Sequence, residues 1–97
     1  MPALSQDEIQ QALRAVPEWQ VTDGALRRTF QFTDFRESMS FVNLVAALAE
    51  RAQHHPDIDI RYNLVRLALV SHDAGGITER DARMARQLSA AFPTSAA

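Results

Sequence analysis

The sequence predicts an α+β fold in which three helices pack on one face of a four-stranded antiparallel sheet, in the order α-β-β-α-β-β-α. Two segments of alternating apolar and polar residues, each with a break suited to a tight turn, predict two pairs of strands. A long helical pattern without Gly or Pro separates these pairs. A capping-type pair of residues also stands at the start of both the first and the last helical pattern.

The first helix is predicted over residues 6–16. Ser5 and Glu8 have the spacing of a capping box, in which each side chain hydrogen-bonds to a backbone amide at the start of a helix. Apolar residues then recur at helical spacing until Pro17, which ends the segment.

A hairpin is predicted between Trp19 and Phe32. Apolar residues alternate with polar ones on both sides of Asp23-Gly24, a dipeptide that is typical of two-residue hairpin turns. Arg28 interrupts the alternation, which indicates an exposed stretch or a partner site.

The longest element is a helix from about Phe35 to Gln53, capped by Thr33 or Asp34 and followed by Pro56. Two adjacent apolar stripes run along it at helical spacing. The stripe that we expect to pack on the sheet comprises Phe35, Met39, Val42, Ala46 and Ala49. The second stripe faces either another subunit or helix one or three, and it comprises Phe41, Leu44, Val45, Leu48 and Ala52.

The second half of the chain predicts two further strands and a third helix. Alternating residues indicate strands over 58–62 and 65–69. Gly75-Gly76 breaks the chain, and Thr78 with Asp81 makes the capping-type pair before helix three. The tail PTSAA is predicted to fray.

Length and composition indicate a single domain, residues 1–97, of a cytoplasmic protein. With 97 residues and 46% hydrophobic content the chain can fill one modest core, and assembly into a homodimer or homotetramer would bury further apolar surface. The absence of cysteine excludes thiol nucleophiles and thiolate metal sites. The formal charge of −2 argues against nucleic acid as a ligand, and no apolar run is long enough to span a membrane.

The three histidines are the strongest candidates for catalysis. His54 and His55 stand where the long helix ends, and the unpaired carbonyls there favour a protonated imidazole. Two adjacent imidazoles repel each other when both are charged, so the pair can supply an acid and a base in one site. His72 follows strand four, which should pack on the long helix, so the three rings are expected to meet at one end of the sheet.

Two other interpretations of these histidines stay open. Each can be an ordinary satisfied side chain, or three imidazoles and a water can form a catalytic zinc site. Adjacent histidines rarely point at one ion, however, and the usual zinc signature places its ligands at i and i+4 of one helix. We therefore expect no metal.

The segments AERAQHHPDIDIRYN and HDAGGITERD make the chain resemble the pterin-4a-carbinolamine dehydratase family. The family pattern has a charged residue, His-His-Pro, an aromatic residue, a further His and an Asp. The matching residues here are Glu50, His54, His55, Pro56, Tyr62, His72 and Asp81. Trp19 and the segment FQFTDF resemble the family's N-terminal half, so the likeness covers nearly the whole chain. Some members carry an acid where this chain has Gln53.

This resemblance implies a hydro-lyase that removes water from 4a-hydroxytetrahydropterin to give quinonoid dihydropterin. The reaction recycles tetrahydrobiopterin-type cofactors after aromatic amino acid hydroxylation. One proton must reach the departing hydroxyl and another must leave the ring, and neither a metal nor a redox cofactor is implied. A pair of groups able to exchange roles suits such a dehydration.

The resemblance also implies roles for individual residues. His55 and His72 would transfer protons, and His54 would anchor the pterin. The other substrate contacts would come from Glu50, Pro56, Trp19 and the stretch 71–74, which includes Ser71, Asp73 and Ala74.

Three of these candidates have equally ordinary roles. Glu50 can be a solvated helix carboxylate, and Trp19 can belong to the core. Asp81 lies three residues after Thr78, so we favour a helix cap for it over a role in orienting the site.

A protein-binding module is the alternative function, because animal members of this family also act as dimerisation cofactors for a homeodomain transcription factor. That role would use the second apolar stripe of the long helix, whereas an enzyme needs the histidines. A different pterin, such as one tied to molybdenum cofactor metabolism, is a further alternative for the substrate.

Overall fold

The computed structural model describes residues 2–92, and the tail PTSAA lies outside this range. The elements are α1 (Gln6–Ala15), β1 (Gln20–Thr22), β2 (Ala25–Gln31), α2 (Phe35–Ala52), β3 (Asp57–Arg61), β4 (Leu64–Leu69) and α3 (Glu79–Ala91), with a 3₁₀ turn at His72–Ala74. The predicted α+β fold and its element order are confirmed. Within the described range no helix is long and apolar enough to cross a membrane.

Local capping sets the starts of the helices. The Ser5 hydroxyl accepts from the amide of Glu8, whose carboxylate accepts from the amide of Ser5, so the predicted capping box is present. Asp34 caps α2 by accepting from the amide of Glu37 at 2.9 Å. A cap of this kind contributes about 1 kcal/mol to stability.

The four strands form one antiparallel sheet in the order β1-β2-β4-β3. Asp23 and Gly24 have φ of 52° and 77°, as the predicted two-residue hairpin turn requires. Phe30 on β2 lies opposite Val65 on β4, which in turn lies opposite Ile60 on β3. Apolar side chains therefore line up across three strands on one face of the sheet.

The core lies between this face of the sheet and the helices α2 and α3. Phe41 of α2 packs on Phe30 with ring centroids 4.5 Å apart. Phe92, just after α3, meets Phe41 edge-on at 4.7 Å. Met84 and Leu88 bring α3 onto the same core. Fully burying an apolar side chain of this size contributes about 1.5–3 kcal/mol relative to leaving it exposed.

The rotation of α2 about its axis differs from the prediction. Its buried residues are Ser38, Phe41, Val45 and Ala49, so most of the stripe expected on the sheet does not face the core. The second stripe supplies Phe41 instead, because this ring fills the space between Phe30 and Phe92. Phe35 and Leu44 are left 50% and 56% exposed on either side of the buried face.

Arg28 is buried, which corrects the prediction of an exposed stretch. Only 7% of it is exposed. Its guanidinium lies 4.1 Å from the ring centroid of Phe30 and donates to Ser89 Oγ and to the carbonyl of Phe92, both at 3.3 Å. Burial lowers the pKa of Arg28, and the nearby Glu18 carboxylate opposes this shift. These contacts of Arg28 attach the C-terminal end of α3 to β2.

Candidate active site

His54 is placed by the way in which α2 ends. Gln53 adopts the left-handed conformation with φ of 52°, and its amide donates to the carbonyl of Glu50 at 3.3 Å. The amide of His54 donates to the carbonyl of Ala49 at 3.1 Å. These two bonds form a Schellman motif, which reverses the chain and satisfies carbonyls that a helix end leaves unpaired. The reversal directs His54 into the protein, where it is 9% exposed.

Asp81 receives this histidine at the start of α3. Its Oδ1 lies 2.5 Å from Nε2 of His54. Its Oδ2 accepts from the amide of Thr78 at 2.9 Å, which completes the predicted capping box, and from the Ser71 hydroxyl at 2.8 Å. The two roles weighed for Asp81 therefore coexist in one carboxylate. It begins the helix with one oxygen and holds the imidazole with the other.

The network around Asp81 is buried and its hydrogen bonds have a consistent direction. Asp81, Ser71 and Thr78 are 0%, 1% and 0% exposed. A carboxylate oxygen accepts hydrogen bonds, so Nε2 of His54 is the donor in its contact with Asp81. Because the Ser71 hydroxyl donates to Asp81, the Thr78 hydroxyl donates to Ser71 across 2.8 Å. The network fixes both the position and the tautomer of His54.

His55 lies on the solvent side of the same chain reversal. Its Nε2 is 2.5 Å from Oε2 of Glu50, and the two side chains are 58% and 73% exposed. The carboxylate of Glu50 thus contacts one histidine, as the prediction of an orienting role requires. Pro56 follows half-buried and leads directly into β3.

His72 begins the 3₁₀ turn after β4 and is exposed. The loop that carries it is closed at its base, because Ser71 and Gly76 exchange backbone hydrogen bonds of 3.0 and 3.2 Å. Ser71 also bonds to Asp81, so the loop of His72 is joined to the partner of His54. Within residues 2–92 no side-chain hydrogen bond joins one imidazole directly to another.

The loop of His72 holds two further predicted residues. Ala74 is half-buried. Asp73 is exposed and accepts from Arg80 at 2.7 Å. The hydrogen bond from Arg80 holds the pKa of the Asp73 carboxyl below its ordinary value.

Trp19 lies in the core, which is the ordinary role considered for it. It is 2% exposed, and its Nε1 donates to Ser89 Oγ at 3.0 Å. Ser89 stands eight residues after Asp81 in α3, which is about 12 Å along the helix axis. The predicted contact between Trp19 and a substrate stays a prediction.

A cavity of about 330 Å³ lies beside His54, between the end of α2 and the first turns of α3. Its lining consists of Leu48, Arg51, Ala52, His54, Arg80, Arg83, Met84 and Gln87. The three arginines were not among the site residues predicted from the sequence. Arg80 and Arg83 have the spacing of one helix face, but the sequence alone does not reveal that the end of α2 reaches them.

A larger hollow of about 600 Å³ lies over β2, β3 and β4. None of the predicted site residues lines it, so the smaller cavity is the better candidate for the chemistry. In the part of the chain that the structure describes, no three His, Cys, Asp or Glu side chains are grouped so that they could hold a metal ion.

The chain matches a known protein family over nearly its whole length. The sequence model of a family described as pterin 4 alpha carbinolamine dehydratase matches residues 2–91. A Thermomicrobium roseum protein is 54% identical over 89 residues, with 92% of this chain and 96% of the relative covered. A Mycolicibacterium smegmatis protein is 47% identical over 89 residues, with 92% and 95% covered. Both relatives are named pterin-4-alpha-carbinolamine dehydratase, as a provisional assignment.

Two solved structures share the fold. The crystal structure of a Brucella melitensis protein, described as a transcriptional coactivator/pterin dehydratase, has a TM-score of 0.86 at 39% identity and covers 91% of this chain and 96% of its own. A pterin dehydratase-like protein described as a RuBisCO assembly factor in the alpha-carboxysome has a TM-score of 0.62 at 24% identity, with 79% and 89% covered, and shows the fold alone.

The sheet, the three helices on one face and the buried His54–Asp81 pair thus define a protein of the pterin dehydratase fold. The match over nearly the whole chain makes the assignment specific. The chain belongs to the pterin-4a-carbinolamine dehydratase family.

Proposed function

We propose that this protein is a hydro-lyase that dehydrates a 4a-hydroxytetrahydropterin to the quinonoid dihydropterin and water by histidine acid–base catalysis. The observation that carries the proposal is the buried Asp81–His54 pair beside a cavity, in a chain of this family. A buried imidazole with a fixed tautomer can hold a polar heterocycle in one orientation.

The reaction breaks the C4a–O bond and the N–H bond of the adjacent ring nitrogen, and it forms an O–H bond of water and a carbon–nitrogen double bond. The bond between C4a and the hydroxyl oxygen breaks as an acid protonates the leaving oxygen, and a base takes the proton of the adjacent ring nitrogen as the carbon–nitrogen double bond forms. The proton given to the hydroxyl and the proton taken from the ring balance, so water is the only by-product. After the reaction the acid has lost a proton and the base has gained one.

His55 and His72 are the proposed proton-transfer groups, because both are exposed where a substrate can reach them. The carboxylate of Glu50 orients His55 through the contact between Oε2 and Nε2. His54 anchors the pterin with the nitrogen that Asp81 leaves available.

The remaining proposed contacts surround these three rings. The backbone of residues 71–74, which includes Ser71, Asp73 and Ala74, meets the polar edge of the pterin, and Pro56 forms part of the wall. Trp19 is retained as a substrate contact from the family resemblance alone. The tetrahydrobiopterin-type recycling step is the proposed setting, with a homodimer or homotetramer as the working assembly.

The experiment is to follow dehydration of a chemically generated 4a-hydroxytetrahydropterin by stopped-flow absorbance, with the uncatalysed rate subtracted. His55→Ala and His72→Ala should each lower kcat by about 10²–10⁴-fold, the usual worth of a general acid or base. Arg36→Gln, an exposed change on α2, serves as the matched control. Wild-type rates in both histidine variants would refute the assignment.

A protein-binding module is retained as the second candidate because Leu44 is 56% exposed on α2. The Brucella melitensis structure is described as a coactivator as well as a dehydratase. Phe41 cannot belong to that binding face, since it is 2% exposed in the core. If Leu44→Asp abolished capture of a partner while His55→Ala did not, binding would be independent of the proposed chemistry.

A further inference from the structure

The cavity beside His54 is lined by cations although the chain as a whole is acidic. Arg51 comes from the last turn of α2, and Arg80 and Arg83 come from the first two turns of α3. No carboxylate lines the cavity, whereas the formal charge of the whole chain is −2. Three guanidinium groups are thus concentrated at one small site.

The carboxylates nearest in sequence to Arg51 and Arg83 are engaged elsewhere. Glu50 precedes Arg51 in the chain but contacts His55. Glu79, one turn before Arg83, pairs with Arg86 at 2.7 Å. Within residues 2–92 neither Arg51 nor Arg83 forms an ion pair.

Arg80, which also lines the cavity, carries one paired and one unpaired donor. Its Nη2 donates to the exposed Asp73 at 2.7 Å, yet its Nε is buried and has no hydrogen-bond partner within the described residues. A buried polar atom without a partner costs stability and is rare in folded proteins.

We propose that this arginine cavity binds a phosphate monoester on the side chain of the pterin substrate, so that the protein selects a phosphorylated pterin over a neutral one. Guanidinium groups bind phosphate through paired, charge-assisted hydrogen bonds. His54, the proposed anchor of the pterin, is one of the residues that line the cavity. Leu48 and Met84 form an apolar part of its wall. A volume of about 330 Å³ suits a small ligand. The inference rests on the proposed function.

The kinetic test compares two 4a-hydroxytetrahydropterins that differ only by a phosphate on the side chain. Wild-type kcat/KM should be about 10-fold or more higher for the phosphorylated substrate, the worth of one charge-assisted hydrogen bond. The Arg51→Gln/Arg83→Gln double variant should bring this ratio close to one, and Arg14→Gln/Arg36→Gln, which removes two exposed arginines outside the cavity, should keep it. Equal wild-type values for the two substrates would overturn the inference and leave the dehydratase proposal standing.

A binding test does not depend on turnover. An unreactive, fully oxidised pterin monophosphate is titrated into ¹⁵N-labelled protein, and the Nε–H resonances of Arg51, Arg80 and Arg83 are followed. These should shift, and the dephosphorylated pterin should not move them. Shifts without turnover of either substrate would support the anion site and refute the dehydratase. Equal shifts with inorganic phosphate at the same concentration would overturn the link to a pterin.

Discussion

Asp81 Oδ1 lies 2.5 Å from His54 Nε2, although the two residues are 27 positions apart in the chain. This contact joins the end of α2 to the start of α3 and places an oriented imidazole at the side of a cavity. The same carboxylate completes a helix cap. The position of His54 and the stability of α3 therefore both depend on the side chain of Asp81.

The first prediction concerns this shared carboxylate. Asp81→Asn should lower the free energy of unfolding by about 2 kcal/mol or more, because the amide cannot accept from His54, Ser71 and Thr78 together. Urea denaturation measures the loss. Asp7→Asn, an exposed change in the first turn of α1, should cost less than about 1 kcal/mol. Equal effects of the two substitutions would contradict a structural role for the network.

The second prediction concerns the left-handed residues at the end of α2 and in the first hairpin. Gln53→Gly should raise the free energy of unfolding by about 0.5–1 kcal/mol, since glycine adopts a φ of 52° without steric cost. Gly24→Ala, at a φ of 77°, should lower it by about 1 kcal/mol although open space surrounds the position. Urea denaturation of both variants checks the opposite signs. A loss of stability in Gln53→Gly would show that the 2.7 Å bond from its side chain to the Glu50 carbonyl outweighs the strain.

The third prediction concerns pH. The hydrogen bond from Arg80 lowers the pKa of Asp73, so this ion pair contributes stability above the ordinary aspartate pKa and loses it as the pH falls through the lowered value. The Asp73 carboxyl carbon, followed by NMR, should titrate below the usual aspartate range. Arg80→Gln should restore the usual midpoint, and Arg86→Gln on the same helix should not. A low midpoint in Arg80→Gln would rule out the assigned cause.

The fourth prediction separates the two faces of α2. Phe41→Ala should cost about 3–5 kcal/mol in unfolding free energy, because Phe41 is 2% exposed and packs on three aromatic rings. Leu44→Asp should leave the stability of a monomer nearly unchanged, since Leu44 is 56% exposed. If assembly uses this face, Leu44→Asp should instead increase the elution volume in gel filtration. An unchanged elution volume would remove α2 from the assembly contact.

Features that depend on neighbouring residues could be predicted from the sequence, whereas contacts between distant segments could not. Ser5 with Glu8 and Asp23 with Gly24 act over a few residues, so the first helix and the first hairpin could be placed from the sequence. The rotation of α2 could not, because both of its stripes are apolar and only the fit of Phe41 in the core chooses between them.

The same distinction holds at the candidate site. The chain identifies His54 and Asp81 as candidates, but their contact depends on two helix ends that meet only after folding. From the sequence pattern, Arg28 only interrupts the alternation of a strand. Its hydrogen-bond acceptors, Ser89 and Phe92, lie more than 60 residues later in the chain. The arginine cavity was missed for the same reason.

The double use of Asp81 has a consequence for synthesis on the ribosome. The strands and α2 precede α3, so a nascent chain that has not yet released α3 already contains His54 but lacks the carboxylate that orients it. Docking of the last helix would then switch the imidazole into position in the same event that completes the core. A chain without α3 would therefore lack the oriented imidazole.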